Sequence, residues 1–287
     1  MILARFLLLF TVVVWGWSFV ATKICLNYMT PLELIGLRLL IALPVMAVIM
    51  RIRRINLRFT SHRRALALGS IIIGLHVFIQ ITGINYTTAT NTGWIIAVTP
   101  LVMAVAAFLI LKEKITRRAI LGIVVATAGI LLLVSRGNLG NLGWLTSIGD
   151  WLVLASAHTW ALYTVATKTV TRTHSSLAVT FAVFLPVAVV ACGSIIFISD
   201  WSALLHLPLE AILALLFLGL FCTALAHWFW QKGVARVGAA EAGIFLYLEP
   251  LATTTLAVPY LNESFGLFTG LGGGLVLLGV WFAQRRR

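Results

Sequence analysis

The sequence predicts an all-α membrane protein: ten transmembrane helices, arranged as two inverted five-helix repeats around a central cavity. Three observations predict it. Of 287 residues, 61% are hydrophobic and 10% are charged, against about 25% charged in an ordinary soluble domain. The Lys and Arg residues gather in alternate loops. A five-span pattern also recurs at a nearly fixed offset.

Composition alone excludes several classes. Mean hydropathy is +1.05, too apolar for a soluble enzyme, a disordered chain or a disulfide scaffold. The formal net charge of +13 would suggest nucleic acid on a soluble protein. Here the basic residues sit in loops, where they set topology, and no nucleic-acid partner is expected. Cys25, Cys192 and Cys222 show no metal-binding spacing and read as small hydrophobes. No HExxH, GxSxG or P-loop is present, so neither an enzyme nor an ATP-driven pump is expected. Nothing points to a cofactor or a metal.

Taken in order, apolar runs of spanning length lie at about 5–23, 31–50, 65–84, 91–111 and 118–135. Five more follow at about 149–168, 175–197, 210–230, 241–260 and 265–283. Each is close to the roughly 20 residues that a spanning helix needs. Thr30-Pro31, the Arg-rich stretch 51–64, Lys112-Glu113-Lys114 and the Gly/Asn segment 137–143 separate them. The first run carries Trp15 and Trp17 and shows no convincing cleavage site, so it reads as a mature helix rather than a signal peptide.

With the N-terminus inside, 18 of the 21 Lys and Arg residues fall on the inner side. They include Arg5, the arginines of 51–64, Lys112, Lys168, Arg236 and the tail Arg285–Arg287. Lys23 and Arg136 fall outside, and Arg38 lies within a span. The positive-inside rule then places both termini in the cytoplasm, with an even number of spans. A bacterial or archaeal plasma membrane is the expected location, and anionic lipid headgroups are expected neighbours of the inner arginines.

A shift of 150 residues aligns Gly69 with Gly219, Gly83 with Gly233 and Gly93 with Gly243. The same shift aligns Pro100-Leu101 with Pro250-Leu251, Glu113 with Glu263, Gly122 with Gly272 and Gly129 with Gly279. A shift of 145 aligns Trp15 with Trp160 and Ala21-Thr22-Lys23 with Ala166-Thr167-Lys168. The units run 1–136 and 149–284, joined by a linker at 137–148. Five spans per unit is an odd number, so the second copy enters from the opposite side. Inverted repeats of this kind build many secondary transporters, with the site near the midplane.

The same residues carry a family resemblance. Trp15-Gly16-x-Ser18-Phe19-x-x-x-Lys23, Arg38-Leu39-Leu40, Tyr86-Thr87-Thr88-Ala89-x-x-x-Gly93, Thr99-Pro100-Leu101 and Leu111-x-Glu113 form the first set. Val237-Gly238-Ala239-Ala240-x-Ala242-Gly243, Leu248-Glu249-Pro250-Leu251 and Leu261-Asn262-Glu263 form the second. Over nearly its full length the chain resembles the ten-helix EamA branch of the drug/metabolite transporter superfamily. The resemblance implies a central cavity and transport of a small organic metabolite, often amino-acid export. Drugs, sugars and nucleotide-sugars are the alternative cargo. Thr99 departs from the pattern, since the second half carries the more family-typical Glu249 before its proline.

Polar side chains within spans face the bundle interior or water. In the first span Trp15, Ser18, Phe19 and Thr22 share a face, and in the sixth Trp160, Tyr163, Thr164 and Thr167 share one. His76, Gln80 and Gly83 form a third face; His227, Trp230 and Gln231 form a fourth. From these come the candidate substrate-binding residues Trp15, Ser18, Thr22, His76, Gln80, Thr99, Trp160, Tyr163, Thr164, His227, Trp230 and Glu249. Glu249 sits beside Pro250, where a backbone carbonyl loses its donor. Its carboxyl can take a substrate amine or a proton, which makes protons a candidate partner. Arg38 reads first as the partner of a carboxyl that holds the fold, and second as an attractor of a substrate carboxylate. Lys23 and Lys168 read as lysines snorkelling at helix ends, with a gating role as the alternative. Glu113 and Glu263 read as loop caps or loop ion pairs.

Overall fold

The computed structural model describes residues 1–59, 62–135, 147–261 and 267–284. Arg136, Glu263, the tail 285–287 and most of the linker, which contribute to the charge balance and the repeat, lie outside the described residues. Among the described residues every regular element is helical.

Helix α1 spans Ile2–Leu26, α2 Pro31–Ile52 and α3 Arg63–Tyr86. The entry to α2 is set by Thr30 and Glu33. The Thr30 Oγ1 accepts from the Glu33 N–H at 3.4 Å, and Glu33 Oε2 accepts from the Thr30 N–H at 2.7 Å. This reciprocal cap, with Pro31 at the first helical position, satisfies donors that a helix start leaves orphaned. The expected run at 91–111 is two helices, α4 Ala89–Ile96 and α5 Thr99–Leu111. Pro100 lacks the N–H that would continue α4, so the chain bends just before it. Helix α6 follows at Arg117–Ser135.

Helix α7 spans Ile148–Thr171 and α8 Ser176–Ile198. Ser147 and Asp150 cap α7 as Thr30 and Glu33 cap α2. A short α9 at Trp201–Leu205 leads to α10, Leu209–Phe217. Beyond it the chain runs through a π-helical segment, Leu218–Ala226, into α11, His227–Val237. The expected run at 241–260 is α12 Ala239–Gly243, a 3₁₀ turn Ile244–Leu248 and α13 Glu249–Leu261. The break again precedes a proline, Pro250. Helix α14, Leu267–Gln284, is the last element.

Seven helical segments among the described residues are long and apolar enough to cross a membrane. They are Ile2–Leu26, Pro31–Ile52, Arg63–Tyr86, Ala89–Leu111, Ser176–Ile198, Leu209–Val237 and Ala239–Tyr260. The other three expected runs form α6, α7 and α14. Helix α7 is long but more polar, because it faces inward. It buries Asp150, Ser156, Thr164, Thr167 and Lys168.

The packing has a regular pattern. Helix α7 packs along α3 and against α4 and α5, and α1 packs along the α10–α11 stretch and against α13. Helix α2 meets the π segment, and α8 meets α3. The pairs α2–α8, α6–α14, α5–α12, α4–α13 and α8–α11 also pack together. Glycines allow the α6–α14 approach: a Cβ on Gly122 would lie 2.5 Å from both the Ala283 Cβ and the Gly279 carbonyl oxygen. Close backbone contact through small residues is the usual basis of helix association in lipid.

Candidate functional site

The helices leave a small central cavity. Its polar lining comes from α1 (Trp15, Ser18, Thr22), α2 (Arg38), α3 (His76, Gln80), α5 (Thr99), α7 (Trp160), α11 (His227) and α13 (Glu249). Phe19, Val77, Ile81, Ile84, Ile96 and Leu246 supply the apolar wall. The cavity measures about 50 Å³. Small-molecule pockets run to roughly 300–1,000 Å³, so this cavity has room for a few waters only.

One wall is a cluster of rings. Trp15 meets Trp160 edge-on at 4.8 Å between centroids, and His227 at 5.1 Å. His76 lies 5.1 Å from Trp160, and Phe184 backs His227 at 4.8 Å. The contacts Trp15–Trp160, Trp15–His227 and Phe184–His227 are edge-to-face, which suits the ring quadrupoles. The histidine orientations are fixed by backbone. His76 Nδ1 lies 3.0 Å from the Ser156 carbonyl oxygen, and His227 Nδ1 lies 2.7 Å from that of Cys222. A carbonyl only accepts, so Nδ1 carries the hydrogen in both rings. In the neutral ring, Nε2 is then an acceptor. The Cys222 carbonyl also accepts from Trp15 Nε1 at 3.1 Å. It is available to both side chains because it lies in the π segment, where the normal ladder is displaced.

Several lining groups have polar atoms that no described residue bonds. Thr99 Oγ1 and Trp160 Nε1 are buried and find no hydrogen-bond partner among the described residues. Glu249 is buried, and among the described residues no group bonds its carboxyl; only its backbone carbonyl is used, by Thr253 Oγ1 at 2.9 Å.

Three of the expected site residues do not reach the cavity. Tyr163, Thr164 and Trp230 form a hydrogen-bonded layer behind Trp160. Trp230 Nε1 donates to Thr164 Oγ1 at 3.2 Å, and Gln231 Nε2 donates to the Tyr163 hydroxyl at 2.9 Å. The reason is that α11 crosses α7 one turn beyond Trp160 and covers that part of its face. Arg38 also departs from expectation. It lines the cavity, and no carboxylate of a described residue pairs with it. Nor does Lys168 snorkel. It is 4% exposed and forms an ion pair with Glu113. Glu113 also accepts from the N–H groups of Ala239 and Ala240, each at 3.4 Å, so it joins three separate segments rather than capping one loop. Arg38 is visible in the sequence as a charge inside a span; that no described carboxylate pairs with it is not.

Comparison with known proteins places the chain in a family and supports its fold. The model of the EamA-like transporter family matches residues 2–135 and again 147–284. The chain belongs to that family and is an integral membrane protein. An uncharacterized transporter of Archaeoglobus fulgidus is 29% identical over 290 residues, covering 98% of this chain and 97% of that protein. The uncharacterized transporter YyaM of Bacillus subtilis is 28% identical over 276 residues, covering 94% and 89%. A protein of Streptantibioticus cattleyicolor named a probable terminal-alkyne amino-acid exporter is 28% identical over 206 residues, covering 70% and 66%. A solved crystal structure superposes with a TM-score of 0.77 at 17% identity, over 98% of this chain and 96% of that one; it speaks for the fold alone.

Proposed function

We propose that this protein is a secondary transporter that exports a small amphipathic metabolite, an amino acid or a close relative, by alternating access. Ten spans form two inverted five-helix halves, 1–136 and 149–284, and both termini lie in the cytoplasm. The observation that carries this reading is the central cavity, whose polar groups come from both halves: Arg38, His76 and Thr99 from the first, Trp160, His227 and Glu249 from the second. A site shared in this way is opened and closed by tilting one half against the other.

Two further facts support it. Exchanging the halves exchanges α1 with α7, α2 with α8 and α6 with α14. The packing pairs then map onto one another: α3–α7 onto the contact of α1 with α10–α11, α3–α8 onto that of α2 with the π segment. The family model also matches twice, once in each half. The named amino-acid exporter among the relatives lends the substrate class some weight. The substrate-binding groups in this reading are Trp15, Ser18, Thr22, His76, Gln80, Thr99, Trp160, His227 and Glu249. Tyr163, Thr164 and Trp230 support them from behind.

The test is counterflow in proteoliposomes with labelled amino acids, with and without a pH gradient. Saturable exchange of a few amino acids is expected. Exchange of sugar derivatives or drugs alone would overturn the substrate class, and single-channel currents would overturn the carrier mechanism. Thiol labelling of cysteines added at residues 2 and 284 of sealed, oriented vesicles reads the topology. Labelling at both from the cytoplasmic face is expected.

A further inference from the structure

The cavity is lined by a cation that forms no ion pair with any described carboxylate. Arg38 is 9% exposed and lies two turns inside α2. Its Nε donates to Thr223 Oγ1 at 2.8 Å, and Thr223 Oγ1 donates to the Leu218 carbonyl at 2.8 Å. That second bond runs back five residues, a reach the π segment provides. The pair of bonds fixes the plane of the guanidinium. A guanidinium carries five N–H donors, and the four on Nη1 and Nη2 bond no described residue. No Asp or Glu oxygen among the described residues lies within 4.0 Å of it. A buried charge is ordinarily paired, because desolvation penalises it otherwise. Here the unused donors belong to a side chain that lines the cavity.

Glu249 is the complement. It is the acidic residue of the lining, it comes from the other half of the chain, and no described residue bonds its carboxyl. Arg38 and Glu249 are not within ion-pair distance of each other. The space between a fork of N–H donors and an acceptor carboxyl suits a small molecule with a carboxylate at one point and an ammonium nearby.

The geometry points to Arg38 as the anchor of a substrate carboxylate and Glu249 as the group that receives the substrate ammonium. The site then reads the two charged ends of an α-amino acid, while the ring wall and Phe19 accept the side chain. This assignment rests on the carrier reading above and deepens it. It also ties recognition to movement: a zwitterion held by α2 and α13 bridges the two proposed halves, and the small cavity must part to admit it. Thr223 is a positioning residue, acting through the guanidinium plane.

The experiment uses the full chain in proteoliposomes, with counterflow of labelled leucine, phenylalanine and threonine. Unlabelled competitors are the same amino acids, their methyl esters and their N-acetyl derivatives. A bidentate, charge-assisted contact supports a loss of about 10- to 100-fold in competition when the carboxylate is esterified. Arg38→Gln is expected to lower exchange by a similar factor and to make ester and free acid compete equally. Glu249→Gln is expected to do the same for the N-acetyl derivative. Thr223→Val is expected to narrow the gap between acid and ester severalfold without abolishing exchange. An ester that competes with wild type as well as the acid overturns the proposal, and so does an acid–ester gap that survives Arg38→Gln. If Arg38→Gln does not fold, the wild-type competition and Thr223→Val decide the matter. Wild type that exchanges no amino acid overturns the amino-acid reading and this assignment together. Wild type that exchanges them while the Arg38 and Glu249 variants keep both gaps overturns this assignment alone.

Discussion

Lys168 and Lys23 occupy matching places in the two repeats read from the sequence, yet their surroundings differ. Lys168 is buried at the end of α7, held by Glu113, whose carboxylate also takes the Ala239 and Ala240 N–H groups. At the same end Arg5 pairs with Glu241 at 3.1 Å, joining the start of α1 to α12. Lys23, at the end of α1, is half-buried and donates to the Asn85 carbonyl oxygen at 3.2 Å. Near it, Tyr28, Thr30, Glu33, Asn85 and Asp200 line a recess of about 520 Å³. One end of the bundle is therefore drawn shut by charges that link distant segments, and the other is recessed. The difference teaches how two lysines at matching sequence positions come to differ: one is locked where its carboxylate partner joins three elements.

The sharpest way to break this comparison is to remove Glu113. Glu113→Gln leaves Lys168 buried without its anion, a change that costs about 3–5 kcal/mol for a buried pair. A lower melting temperature in detergent is expected, together with faster thiol labelling of a cysteine placed at Leu246. Converting both partners, Glu113→Leu with Lys168→Met, removes both charges and is expected to cost less than the single change. Equal losses would show that the pair does not hold this end.

The next test addresses the opposite end. Asp150 accepts from Thr87 Oγ1 at 2.5 Å, Asn91 Nδ2 at 2.6 Å and the Ser147 N–H at 2.8 Å. This network ties α7 to the turn between α3 and α4. Asp150→Ala should cost about 1.5–3 kcal/mol, the range for hydrogen bonds to a charged group. The melting temperature is expected to fall without increased labelling at Leu246. If labelling rises as it does for Glu113→Gln, the two ends are not held independently.

Gly238 sharpens the comparison at the closed end. Its φ of +101° and ψ of 159° lie in a region open essentially to glycine. A Cβ there would lie 3.1 Å from Glu113 Oε2 and 3.5 Å from Lys168 Nζ. Gly238→Ala is expected to cost about 1–3 kcal/mol from backbone strain alone and to loosen the same latch. The matching position in the first half, Thr88, has ordinary extended backbone and caps α4 instead, so Thr88→Gly should lack this labelling response.

These elements also show what a single sequence can reveal. Helical periodicity placed Trp15, Ser18 and Thr22 on one face and His76 with Gln80 on another, and both faces reach the cavity. Periodicity reports which side of a helix a residue occupies; it does not report what crosses that side. Tyr163 and Thr164 share the face of Trp160 yet lie beneath α11. The breaks at Val98 and at the 3₁₀ turn before Glu249 follow from prolines that the sequence displays. The π segment does not. It takes bonds from Trp15 to the Cys222 carbonyl and from Arg38 to Thr223, which form only when the helices are together. The surroundings of Arg38 differ from the expected carboxylate pair for the same reason: counter-charges are tertiary facts, and among the described residues none pairs with it.

The smallest effect is expected at Lys23. Its single bond to a backbone carbonyl lies at a solvated helix end, and such a bond contributes about 0.5–1.5 kcal/mol. Lys23→Met should therefore shift the melting temperature only slightly, far less than Glu113→Gln. If the proposed cycle holds, however, its effect on exchange should exceed its effect on stability, because Lys23 would take the part of Lys168 when the recessed end closes. A slowed counterflow rate with near-normal melting would extend the comparison to both states of the carrier. An unchanged rate would confine the lysine latch to one end and make the asymmetry a fixed property of the fold.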